Sequence, residues 1–432
     1  MFKEIFEEHL RKAAPPPATL PPGTCRTYSS RTCPLCHAAH MEYPAEARAR
    51  DAALRDFWGK LKLDAPFEAP LAPLVPSPLG REYRTVSKRK AFPVKGETRL
   101  GLIDPGGEDG HRPVDVMACG VEPASHAAVY ARLRESILSP SARLLAPALR
   151  YVIVKGNYSE LVVILSVTRI DGGIVSAVNT LSKGLTSACP GVRGVMLYED
   201  RSDGRYYLGT RSPAARGTVR KIYGETEIFQ KFGGKGFLFP PLAFSQGNAS
   251  LVDGLIAEAG RMLDVSSGDD LYDLYCGYGL FTLTLGARAR RGTGIERTPE
   301  SIDAAIRNAK RLGGTNTKFF RSDITGTTLP RLLERVRSRD AILLDPPRGG
   351  TAPGVIECVA ARRPGRVVHM FCNIDIMPAE ISRWRTAGYM PVRGVPFDMF
   401  PGTDETEVMV LFGPAAVKGS QRTELKGMSS MR

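Results

Sequence analysis

LYDLYCGYG, residues 271–279, decides the fold. A short apolar strand, DLYDLYC, runs into a glycine-rich turn and then into LFTLTLGARA, which reads as a helix. Glycines at such a turn let the backbone approach a ligand, and the helix start behind them offers N–H donors. Outward from it the chain alternates strand and helix: GTGIE, PESIDAAIRNAKRLG, KFFRSD, LPRLLERVRS, AILLDPPR, PGVIECVAAR, RVVHMFCN and PAEISRWRTAG, with the helical LVDGLIAEAGRML ahead of the turn. Alternation of this kind predicts an α/β, doubly wound, mostly parallel sheet, which takes its ligands at the carboxyl ends of the strands.

Those ends carry polar groups. Glu296 closes the second strand, 23 residues after Asp273 in the first, where a carboxylate can accept from both hydroxyls of a ribose. Asp323 closes the third and Asp345 the fourth. Glycines such as Gly277 stand in the turn, but the GxGxxG spacing of dinucleotide sites is missing, which points to S-adenosylmethionine. DPPR, residues 345–348, stiffens the backbone beside the expected acceptor, with Arg348 available to a phosphate or a base carbonyl. Cys372 ends the next strand on the same edge, and Glu407 enters a terminal strand from the loop FPGTDE.

Upstream the character changes. From Tyr83 to about Lys221 come short runs such as YVIVKG, LVVILSV, GGIVSAVN and GVMLYED, read as an antiparallel, partly solvent-facing sheet. Residues 14–23 and 65–79 are proline-rich and read as linkers. Between them lie CRTYSSRTCPLCHAAH and a helical stretch from Ala45. The expected organisation is an N-terminal extension (1–24), a cysteine-cluster module and linker (25–82), a β-rich central RNA-binding domain (83–245), a catalytic domain (246–412) and a flexible tail (413–432).

The 432 residues carry 59 Lys and Arg against 45 Asp and Glu, a formal charge of +14, which suits a polyanionic partner. No apolar run reaches the length of about 18 residues that a membrane span needs, and the N-terminus lacks a secretory signal, so a cytoplasmic protein is expected. Eight cysteines in a reducing compartment fit metal binding or chemistry better than a disulfide scaffold.

The segment from Phe244 through Phe412, with FSQGN, DLYCGYG, GIE, DPPR, FCN and DMFPGTDETE in order, resembles the RNA uridine C5-methyltransferases, which make 5-methyluridine in transfer and ribosomal RNA. The resemblance implies a Rossmann-like, S-adenosylmethionine-dependent domain with Cys372 as nucleophile, Glu407 as base, and Gln246, Tyr275, Glu296 and Asp345 at the cofactor. Phe371 stands where the family has serine, Asp404 and Glu405 where it has histidines, and Leu280 where asparagine is frequent. The chemistry independently asks for such a pair. Uracil C5 is a poor nucleophile until a thiolate adds to C6, and a base must then remove the C5 proton. The target base must also leave its stack to reach such a crevice.

Cys25, Cys33 and Cys36 form a second constellation, one thiolate short of a cluster. The resemblance implies Cys119, in VDVMACG, as the fourth ligand of a 4Fe-4S cluster, as in the short ribosomal-RNA branch without a TRAM domain. Zinc is the alternative, with His37 or His40 in place of Cys119. Cys189, Cys276 and Cys358 read as small core residues. The expected partner is RNA, ribosomal rather than transfer RNA, with no membrane and no obligate protein partner. The competing readings are a methyltransferase acting on an exocyclic amine, which would need neither Cys372 nor Glu407, and a non-catalytic RNA-binding or ribosome-assembly protein.

Overall fold

The computed structural model describes residues 1–13, 33, 35–64, 67–104, 112–116, 118–201 and 217–415. Cys25 lies outside this set. The chain opens with two helices, α1 (Phe2–Ala13) and α2 (Tyr43–Asp64). Phe2, Phe6, Leu54, Phe57 and Trp58 are buried in one apolar cluster with Phe371, Trp384 and Val408, so the front of the chain is part of the C-terminal domain's core.

The middle of the chain forms β1 (Val86–Val94), β2 (Glu97–Asp104), β3 (Arg112–Val114), α3 (Ala124–Ile137), β4 (Leu149–Gly156), β5 (Leu161–Val167), α4 (Gly172–Ala188), β6 (Val192–Glu199) and β7 (Val219–Gly224). The seven strands make one sheet in the order β3-β2-β1-β4-β5-β6-β7. Two sequence expectations are corrected here. GGIVSAVN is not a strand but the first half of α4. Its carboxylate cap is Asp171, which accepts from the Ile174 N–H at 2.8 Å, and Ile174, Val178, Leu181 and Leu185 recur at helical spacing on its buried side. Since α4 crosses between β5 and β6, that pair is parallel, and the sheet is antiparallel only elsewhere. Nor is the centre of the sheet solvent-facing. Val152, Val154, Val163 and Leu165 pack toward α3 and α4, while Tyr151, Ile153, Val162 and Ile164 join a cluster shared with the catalytic domain.

A hairpin of β8 (Ile228–Phe232) and β9 (Lys235–Phe239) leads into the C-terminal domain. That domain comprises α5 (Val252–Leu263), β10 (Asp270–Leu274), α6 (Leu280–Thr284), β11 (Arg291–Glu296), α7 (Pro299–Arg311), β12 (Thr317–Arg321), α8 (Leu329–Leu332), β13 (Ala341–Leu344), α9 (Val355–Ala361), β14 (Arg366–Phe371), α10 (Met377–Thr386), β15 (Tyr389–Phe397) and β16 (Glu407–Pro414). Its sheet runs β12-β11-β10-β13-β14-β16-β15. The first five strands are parallel, as the alternation predicts, and β16 inserts antiparallel between β14 and β15. Strand order reverses between β10 and β13, which opens a crevice at their carboxyl ends. The stretch read as a linker over 65–79 is, from residue 67 on, an extended strap along the edge strand β15. Ala72 and Val75 donate to the Gly394 and Pro396 carbonyls at 2.8 and 2.9 Å. Among the described residues no helix is long and apolar enough to cross a membrane. Gly413 and Pro414 belong to β16, and the remainder of the expected tail from residue 416 lies outside the described residues.

Candidate functional site

The turn after β10 has the backbone its sequence requires. Tyr275 and Gly277 adopt φ of +68° and +53°, and the N–H groups of Tyr275 and Cys276 both donate to the Ile295 carbonyl of β11, at 2.9 and 3.0 Å. A Cβ added at Gly277 would meet no atom within 4 Å, so the turn is an open cradle. One at Gly279, at φ +89°, would lie 3.2 Å from Ala305, Leu283 and Phe319. The turn is pinned from behind by Asp273. Its Oδ2 accepts from the Thr282 N–H at 2.8 Å and from the Thr282 hydroxyl at 2.6 Å. Burial pushes the Asp273 carboxyl up to about 7. Sequence reasoning used Asp273 only to count spacing; its Thr282 partner nine residues on was the overlooked signal.

Glu296 ends β11, and its carboxylate accepts from the Thr298 N–H at 2.7 Å, which fixes it beside the cradle. Gln246 is buried and its Nε2 donates to Asp345 Oδ2 at 3.4 Å, bringing two predicted cofactor residues together across 99 positions of sequence. Asp323 stands two residues beyond β12, with its side chain 62% exposed and 3.8 Å from the Arg297 guanidinium, the loosest member of the set. Leu280 is buried rather than turned to the cradle's opening. Close by, the Tyr278 hydroxyl is buried without a hydrogen-bond partner.

On the other side of the crevice β13 and β14 end side by side, so the DPPR segment and Cys372 leave the sheet together. The Cys372 thiol faces the Pro346 carbonyl at 3.8 Å. Because β16 runs antiparallel to β14 with Phe371 paired to Val408, the next step outward sets Cys372 against Glu407. A thiol from a strand's end and a carboxyl from another strand's start thus meet at one edge. Burial pushes Glu407 up to about 8, with Asp345 and Glu405 adding in the same direction and Arg348 opposing. Burial likewise carries Asp345 up to about 7. Cys372 goes up to about 12 by burial, reinforced by Glu407 and Asp345 and opposed by Arg348. At neutral pH this edge is therefore an acid store: thiol and carboxyl both hold their protons until a ligand changes the local charge.

Arg348, expected at phosphate or base, forms an ion pair of 2.5 Å with Glu405 and lies largely exposed at the crevice mouth. Lys88 and Arg84 come toward the same mouth from the central domain. Lys88 reaches solvent, and crowding by the surrounding protein, with the charges of Arg84 and Arg348 opposed by Glu405, lowers its ammonium to about 8.

The predicted metal ligands are only partly described. Cys36 borders Gly402, where an added Cβ would sit 4.0 Å from its sulfur and 3.5 Å from Val121. Cys119 is held nearby, since Glu82 and Arg84 donate to the Gly120 and Val121 carbonyls at 3.1 and 3.0 Å. Among the described residues no three His, Cys, Asp or Glu side chains are grouped to hold a metal ion. With Cys25 outside them, the four-thiolate set is not seen as a whole. Of the three cysteines read as core residues, Cys276 is buried, whereas Cys189 and Cys358 are only partly so.

Fold and site together define an α/β transferase with a glycine cradle at the switch point and a thiol–carboxyl pair beside it. Residues 236–414 match the family model described as tRNA (Uracil-5-)-methyltransferase. The chain is 26% identical over 394 residues to an RNA methyltransferase of Thermotoga maritima described as uncharacterized, covering 89% of this chain and 83% of that one. It is 34% identical over 200 residues to the 23S rRNA (uracil(1939)-C(5))-methyltransferase of Edwardsiella ictaluri, covering 46% of this chain and 45% of that protein. A crystal structure of the Pyrococcus abyssi tRNA (uracil-54, C5)-methyltransferase with S-adenosyl-L-homocysteine superposes with a TM-score of 0.63 at 21% identity, over 88% of this chain and 86% of that one, which shows a shared fold. Through residues 236–414 the chain resembles the RNA uridine C5-methyltransferase family.

Proposed function

We propose that this protein methylates C5 of a uridine in RNA, using S-adenosylmethionine and a covalent bond from Cys372 to C6, and that its substrate is large-subunit ribosomal RNA. The observation that carries the covalent mechanism is the register that sets Cys372 opposite Glu407 beside Asp345, because a methyltransferase acting on an amine needs neither group. The cradle at Gly277, the Glu296 carboxylate, the Gln246–Asp345 pair and the unpartnered Tyr278 hydroxyl fit a cofactor that carries a ribose and polar ends. When bound, adenosylmethionine supplies an electrophilic methyl on a positively charged sulfur. Cys372 gives its proton to solvent and its sulfur adds to C6, which moves electrons onto O4 and leaves C5 carbanion-like. Arg348, at the crevice mouth, stands where a cation can meet the enolate oxygen or a phosphate. Once C5 bears the methyl, Glu407 takes the C5 proton, the C5–C6 double bond re-forms and the thiolate leaves.

Ribosomal RNA is favoured by the spacing of the front cysteines and by the bacterial ribosomal-RNA enzyme among the relatives. We assign the front cysteines, Cys25, Cys33, Cys36 and Cys119, to a structural 4Fe-4S cluster that ties the front module to the central domain, with zinc as the alternative. Protein purified without oxygen is then brown and bleaches on reduction, and Cys33→Ser loses the colour. A colourless protein with one zinc per chain replaces iron–sulfur by zinc, and a metal-free, active protein removes the site.

The test of function is to map methylated uridines in RNA from cells with and without the gene, and to assay Cys372→Ala in parallel. The variant should bind adenosylmethionine normally and transfer no methyl, because C5 stays unreactive without C6 addition. Activity within about tenfold of wild type would remove Cys372 as nucleophile. Loss of a mark confined to transfer RNA would move the substrate to that class.

A further inference from the structure

We infer that Arg50, on α2, is a positioning residue for Glu407. The inference rests on the reading of Glu407 as the base. Arg50 has no exposed surface, although it comes from the front of the chain, 353 to 356 positions from the loop residues to which it donates. Its Nη2 donates to the Thr403 carbonyl at 2.5 Å. Its Nη1 donates to the Glu405 carbonyl at 3.1 Å and to the Thr406 hydroxyl at 2.8 Å. Its Nε lies 3.2 Å from Asp398 Oδ1. One guanidinium thus spans both ends of the loop that joins β15 to β16, and the loop's last residue before Glu407 is one it grips.

The guanidinium is itself held rigidly. Glu46, one turn back on α2, accepts from Arg50 Nη2 at 3.3 Å and from Arg81 at 2.8 Å, and its Oε1 also accepts from the Gly402 N–H at 2.5 Å. Tyr43 donates to Asp398 at 3.0 Å, and the Phe6 ring lies 4.2 Å under the guanidinium. Two cations and two carboxylates balance. Burying such a set contributes little net stability over an apolar core of the same volume. What an apolar core cannot do is fix a carbonyl at 403, another at 405 and a hydroxyl at 406 from one planar fork. Glu407 opens β16 in register with Phe397 at the end of β15, so the loop that Arg50 fixes between these two residues sets how the strand start, and with it the carboxyl, enters the Cys372 edge. An error of about 1 Å in such aim is enough to slow a proton transfer severely.

The test follows single turnovers of the full-length protein with labelled adenosylmethionine and an RNA substrate, scoring the covalent RNA–protein adduct on denaturing gels beside released product. Wild type, Glu407→Gln, Arg50→Gln, Arg50→Lys and Thr406→Val are run together. Arg50→Gln should bind adenosylmethionine within about twofold of wild type and form adduct within about threefold, yet resolve it at least about tenfold more slowly, so adduct accumulates. Arg50→Lys should behave the same way, since a point charge does not replace the fork. Thr406→Val, which removes one acceptor and leaves Arg50 in place, should show the same selective slowing to a smaller degree, and it carries the test if Arg50→Gln does not fold. Normal resolution in these variants, or an equal loss at binding, addition and resolution, would overturn the inference while Glu407→Gln still accumulates adduct. If Glu407→Gln itself resolves normally, the base assignment fails and the positioning role falls with it.

Discussion

Glu407 is a carboxyl buried at a site where its neutral form is preferred, and this has a sign that can be measured. Its folded pKa, about 8, lies above the ordinary value of 4.5. The stability this contributes is fully present below about pH 4.5 and is lost as pH rises through about 8, because the unfolded chain ionises first. Glu407→Gln removes that ionisation. The variant's melting temperature should therefore gain on wild type steadily from pH 5 to about pH 8 and level off above that, with the difference smallest at the acid end. A constant difference across that range would mean that Glu407 is ionised in the fold throughout. For the same reason, adduct resolution by the wild-type enzyme should quicken as pH passes about 8, where the base becomes available.

Among the elements, the hairpin β8–β9 is tied to the C-terminal domain by buried aromatics, by Asp253, Arg307 and Arg311, and by one amide that pairs with it on both sides. Asn308, on α7, accepts from the Leu238 N–H at 2.9 Å and donates to the Leu238 carbonyl at 2.9 Å, as a neighbouring strand would. Its Nδ2 also reaches the Tyr278 carbonyl at 3.2 Å, in the glycine turn. Asn308→Ala should cost about 2–3 kcal/mol by leaving these groups unpaired, seen as a lower denaturant midpoint at unchanged slope, and should weaken adenosylmethionine binding. A loss below about 0.5 kcal/mol would leave the hairpin to its buried aromatics and to Asp253, Arg307 and Arg311. The elements were legible in proportion to how far local pattern controls them. Strands β10, β13 and β14 are buried on both faces and read as apolar runs. GGIVSAVN misled because its β-branched residues masked a helical spacing that only emerges over all of 172–188. Cys372 and Glu407 were placed at strand ends by pattern, but their roles came only from the family resemblance, since on its own the first reads as a structural cysteine and the second as an exposed carboxylate. Arg50 was not legible: in EARARDAALRD it reads as one more solvated charge, and nothing local names acceptors from the far end of the chain.

Over the whole molecule the net charge of +14 and the cations gathered at the crevice mouth, Arg84, Lys88 and Arg348, set how RNA is gathered before chemistry. RNA affinity should fall steeply with salt, with a logarithmic slope steeper than about −3, which corresponds to four or more phosphate contacts. A slope near zero would assign recognition to base contacts alone. The position of β16 has a further consequence for how the protein is made. It lies between β14 and β15 in the sheet but is the last of the three to be synthesised. Until residue 414 has left the ribosome, β14 and β15 have no strand between them and their backbone groups are open to other chains. The nascent chain is therefore open to pairing with other chains at this stage. Glu407 arrives with that same strand, so its pairing with Cys372, the proposed catalytic pair, is completed in the step that closes the sheet, and no shorter nascent chain can form it.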